Sequence, residues 1–98
     1  MAKQYAVGIN HKALVMNIER FIAVYDRYDD SLVDDIKIDL ATEVLLDIFQ
    51  IDKEDDPDAH KPYQVSETQF GKLKKLLPVL EEFDFNNVRM HLECFSIE

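Results

Sequence analysis

The 98-residue sequence predicts a single α+β domain: a small antiparallel sheet, built from a β-hairpin and a C-terminal strand, with two helices packed on one face. Three observations predict it. Two strand-like runs flank the turn formers Asp29-Asp30-Ser31, two later stretches repeat apolar residues at helical spacing, and residues from Asn87 onward alternate apolar with polar.

From Arg20 to Tyr28 the apolar groups take both parities, Phe21, Ala23 and Tyr25 on one side and Ile22 and Val24 on the other, as a central strand requires. After the turn, Ile36, Ile38 and Leu40 alternate with Lys37 and Asp39, so Leu32 to Leu40 reads as a half-buried second strand. Asp39 is the expected N-cap of a helix through residues 41–50, whose Val44, Leu45, Ile48 and Phe49 share one face. The acidic, proline-containing stretch after Ile51 is a loop. Ser66 and Gln69 form a capping box that opens a second helix, with Phe70, Leu73, Leu77 and Leu80 as its apolar stripe. Pro78 is expected to stop or kink it near Leu77. In the final strand Val88, Met90, Leu92 and Cys94 face the helices, which turns Phe95 to the other side. The expected sheet order is second strand, first strand, last strand. Gln4 to Ile9 reads as an added edge strand, and Ala13 to Ile18 as a short turn into the hairpin.

Twenty acidic and eleven basic residues leave a net charge of -9. That sign excludes a phosphate-gripping surface or attachment to anionic lipid. Residues 26–58 alone hold thirteen acidic and three basic side chains. Crowding carboxylates opposes folding, and gathered on one surface they attract a cationic macromolecule and accelerate encounter. A single cysteine, Cys94, cannot form an internal disulfide, and the sequence has no leader pattern and no apolar run of about 18 residues. A cytoplasmic protein is expected.

No catalytic, metal or cofactor site is expected. The stretch from Asp52 places Pro57 where a calcium loop needs glycine and Tyr63 where it needs a bidentate glutamate. His11, His60 and His91 have no paired ligand spacing. Cys94 and His91 sit at opposite parity on one strand, which separates a thiol from its would-be base. Glycine-rich phosphate loops and nucleophile-elbow motifs are absent from the sequence.

The segments Phe21–Ile38, Tyr63–Leu77 and Phe83–Phe95 resemble the small acidic immunity proteins of bacterial contact-dependent growth inhibition and related polymorphic toxin systems, a likeness spanning Glu19 to Ile97. The resemblance implies a non-enzymatic protein that binds one cognate toxin, often a basic nuclease, in the producing cell's cytoplasm and blocks its active site or substrate groove. Fixed carboxylates would substitute there for nucleic-acid phosphate. The contact is assigned to Asp29, Asp30, Asp34 and Asp35 on the hairpin and to Asp52, Glu54, Asp55, Asp56 and Asp58 on the loop, with Tyr28 and Tyr63 as anchors. An acidic adaptor or regulatory domain unrelated to toxins is the alternative reading, a small enzyme is a third, and self-association through a sheet edge stays open.

Overall fold

Alternation sets the hairpin. In the computed structural model, which describes residues 17–97, strand β1 is Asn17–Asp26 and strand β2 is Leu32–Ile38, paired antiparallel with a bulge between Val24 and Tyr25. The expected N-terminal edge strand lies outside the described residues. Of the turn expected over 13–18, Asn17 and Ile18 are instead strand, because β1 extends to pair with the whole of the last strand.

That last strand, β4, is Val88–Ile97 and lies beside β1, as the parity of β1 predicts. Ile22 faces Leu92 and Val24 faces Met90, and all four are buried beneath the helices. A two-residue strand, β3 (Tyr63–Gln64), adds to the far side of β4, giving the order β2-β1-β4-β3. The sequence reading lacks β3, since two residues carry no periodicity.

Helix α1 is Thr42–Ile48 and helix α2 is Glu67–Leu76. The expected Asp39 cap is not formed. The N-cap is Ala41, which has no side-chain capping bond, because half-buried Leu40 joins the core and the helix starts only beyond it. Leu45, Leu46, Ile48 and Phe49 are buried, Leu46 in addition to the expected stripe. The helix closes as a Schellman motif: Ile51 N–H donates to Leu46 C=O and Gln50 N–H to Asp47 C=O, with Gln50 at φ 54° in the position glycine usually takes.

The Ser66–Gln69 capping box is present in full. Pro78 ends α2 as expected and starts a 3-10 turn over Pro78–Glu82, followed by another at Phe85–Asn87. Phe70, Leu73 and Leu80 enter the core while Leu77 stays half-buried. Both helices therefore lie over one face, and the other face carries Phe21, Ala23, Tyr25, His91 and Phe95, the last 49% exposed.

The asymmetry between the faces fixes the cost of truncation. Leu92→Ala removes a fully buried side chain and is expected to lower unfolding free energy by about 2–5 kcal/mol in urea titration. Phe95→Ala is expected to cost under about 1 kcal/mol, and an equal loss would mean that the second face is covered too.

Candidate functional site

The acidic residues do not gather in one patch. The hairpin group lies at the β1–β2 tip and along β2, the outermost strand, whereas the loop group, residues 52–58, lies toward β3 at the other edge. Arg20 Nη2 donates to the Asp58 carbonyl at 2.6 Å, which ties the loop to β1 some six residues, or about 20 Å of strand, before the hairpin tip.

At the tip, carboxylates are held by the backbone they organise. Asp26 Oδ1 accepts from the amides of Tyr28 and Asp29 at 2.8 and 3.1 Å. Asp29 Oδ1 accepts from the Ser31 amide and hydroxyl at 2.9 and 2.7 Å, and these bonds hold its carboxyl below the ordinary value. Asp30 adopts a left-handed φ of 62°, which aspartate tolerates, and forms an ion pair with Arg89. Tyr28 projects at 80% exposure, its hydroxyl 3.5 Å from Asn87 Oδ1. Arg27 folds back, donating to the carbonyls of Phe85 and Val88 at 3.1 and 2.8 Å. Asp34 and Asp35 are exposed on β2 beside Leu32 and Val33.

In the loop, Asp52 Oδ1 accepts from the Glu54 amide at 2.9 Å, and Asp55 pairs with Lys61 at 2.8 Å. Glu54 and Asp58 are exposed. Asp56, expected among the partner contacts, is only 5% exposed. Its carboxylate accepts from the amides of His60 and Lys61 at 2.9 and 3.1 Å and from the Tyr63 hydroxyl at 2.6 Å. Burial pushes the Asp56 carboxyl up, but these three bonds and the nearby His60 outweigh it, and the net direction is down. Tyr63, expected as an exposed anchor, is half-buried with its ring 5.9 Å from that of Phe49. Burial, the bond to Asp56 and the neighbouring carboxylates push its hydroxyl up to about 12. Both residues close the loop on itself. Their spacing was visible in the sequence, but the donors that make burial of Asp56 tolerable come from the folded loop.

Strand parity puts Cys94 and His91 on opposite faces of β4. His91 lies on the face opposite the helices, its ring 5.7 Å from that of Tyr25, while Cys94 faces Arg20 on the helix side, with its thiol pushed up by burial against the opposing charge of Arg20. A shallow depression of about 210 Å³ is lined by Tyr25, Asp30, Arg89, His91 and Glu93. Among the described residues no three His, Cys, Asp or Glu side chains are grouped to hold a metal ion, and no helix is long and apolar enough to cross a membrane.

Residues 19–93 match the sequence profile of a family described as a domain of unknown function, DUF7683, and the chain belongs to that family. No curated protein and no solved structure matches it.

The closed loop has two measurable signatures. Asp56→Ala leaves three donors without their acceptor and is expected to cost about 1–3 kcal/mol of stability in urea titration. Tyr63 has a folded value above its ordinary 10.0, so its contribution is complete below about pH 10 and disappears as pH rises toward 12. Ultraviolet titration of tyrosinate should resolve a phase near 12 that Tyr63→Phe removes; its persistence in the variant would assign it elsewhere.

Proposed function

We propose that this member of the DUF7683 family is an immunity protein that binds a cognate toxin, a basic nuclease domain, and neutralises it through its acidic surface in the cytoplasm of the producing cell. The observation that carries the reading is the hairpin: Tyr28 stands out at 80% exposure among Asp29, Asp30, Asp34 and Asp35. An aromatic anchor ringed by carboxylates suits a polar interface with a cationic cleft. Preset turn geometry supports it further, because Asp29 is already oriented by Ser31 and loses little freedom on binding. Asp52, Glu54, Asp55 and Asp58 add to the long-range attraction from a second position, while Asp56 and Tyr63 act by shaping that loop.

A nuclease needs a basic cleft to draw in its substrate, and an inhibitor that fills the cleft with carboxylates requires no chemistry of its own. The resemblance of the hairpin and the closing strand to immunity proteins supports the same reading.

A toxin-domain gene is expected directly beside this one, and co-expression of the two is expected to restore growth that the toxin alone arrests. Absence of both rescue and complex formation would leave the acidic-adaptor reading in its place. In the complex, combined Asp29→Asn, Asp34→Asn and Asp35→Asn substitution is expected to slow association about tenfold at low salt and to flatten its salt dependence. An unchanged association rate would put the interface away from the hairpin.

A further inference from the structure

Among the described residues the outer side of β2 is a sheet edge, with no strand paired to its far side. An edge strand presents unpaired N–H and C=O groups, ready to accept another extended chain. Along its first four residues β2 also shows solvent two large apolar side chains, Leu32 at 56% and Val33 at 52% exposure, followed by exposed Asp34 and Asp35.

Charge selects the occupant. Two copies of β2 paired antiparallel about Asp34 and Asp35 would set carboxylates opposite one another, and like charges directly opposite destabilise a strand pair; a register about Ile36 would avoid that only by using Lys37, which Glu19 already engages. Aspartate is also a poor strand former, so two in succession on an edge run against local preference. What they match is cations. Consecutive residues point to opposite faces, so Asp34 and Asp35 ask for basic groups on both faces of an added strand, which two consecutive lysines or arginines provide. Leu32 and Val33 ask for an apolar pair next to them.

We propose that β2 is extended by an antiparallel strand of a basic protein partner, one in which two consecutive basic residues precede two apolar ones. The identification of the partner as a basic protein rests on the proposed function; the open edge and its side-chain order do not.

The test uses the full chain and the synthetic peptide acetyl-Thr-Thr-Val-Lys-Lys-Val-Val-amide, which matches the seven residues of β2 in antiparallel order. Nuclear magnetic resonance titration is expected to shift β2 amides and slow their hydrogen exchange. A peptide of the same charge with proline in place of its third and sixth residues removes a ladder donor in either register and should bind at least about tenfold more weakly. Asp34→Lys with Asp35→Lys, both on the exposed edge, should weaken the first peptide about tenfold while retaining the folded spectrum. Equal binding of the proline peptide, perturbation confined to residues 52–58, or protection of β2 that grows with protein concentration alone would each overturn the inference. A toxin complex with unprotected β2 amides would overturn it and leave the proposed function intact. Strand addition by the peptide without any toxin complex would do the reverse.

Discussion

Everything in this fold depends on a ten-residue antiparallel pairing, β1 with β4, whose two faces meet different surroundings. Ile22, Val24, Met90 and Leu92 make one continuous apolar row under the helices. Both helices are needed to cover that row, and neither is left for the other side. The opposite face, over which no described element lies, pairs Phe21 with Phe95 and Tyr25 with His91 edge to face while ion pairs join Glu19 to Lys37 and Asp30 to Arg89. Strand parity also decides chemistry: it separates Cys94 from His91 because neighbouring positions of opposite parity cannot share a face.

Carboxylate crowding is the second constraint, and much of it is relieved locally. Asp26, Asp29, Asp52 and Asp84 each accept from a backbone amide two residues ahead, which satisfies turn amides that would otherwise need water. Asp56 goes further, accepting from three donors in a nearly dry position. A carboxylate stripped of water is tolerated only when its oxygens are satisfied, so the loop has to close around Asp56 as a unit. Much of the acidity is therefore structural, and fewer carboxylates stand free of the fold than the net charge implies.

The layers of the fold were legible because each rests on short-range pattern. Parity of both kinds in β1, alternation in β4, the Ser66–Gln69 box and the break at Pro78 are all readable over a few residues. Three features were not. β3 follows Pro62 and is defined by what β4 offers it. The start of α1 moved to Ala41 because packing of Leu40 outweighed the capping strength of Asp39. Asp56 looked like one more exposed acid in a run of them, since nothing in local composition reveals that Tyr63 and two amides will converge on it. Of the candidate site only exposure was legible: Tyr28, Asp29, Asp34 and Asp35 are exposed because a turn or an edge holds them, whereas convergence of the hairpin with the loop was a long-range matter that the pattern did not contain.

How the cations are placed completes the argument. Lys37 is engaged by Glu19, Arg89 by Asp30 and Lys61 by Asp55, while Arg27 is turned onto backbone carbonyls. Around the hairpin these pairings partly neutralise Asp30 at the tip but leave no basic partner for Asp34 or Asp35 among the described residues. Two carboxylates thus stand uncompensated along the strand edge, beside exposed Leu32 and Val33. Backbone hydrogen-bonding groups, apolar area and uncompensated charge coincide there, and each alone is weak: surface ion pairs are worth little, and an edge without side-chain contacts is unselective. Together they set what the proposed strand partner has to match, an extended segment with the right charge in the right order, a demand that a diffuse acidic surface would not make.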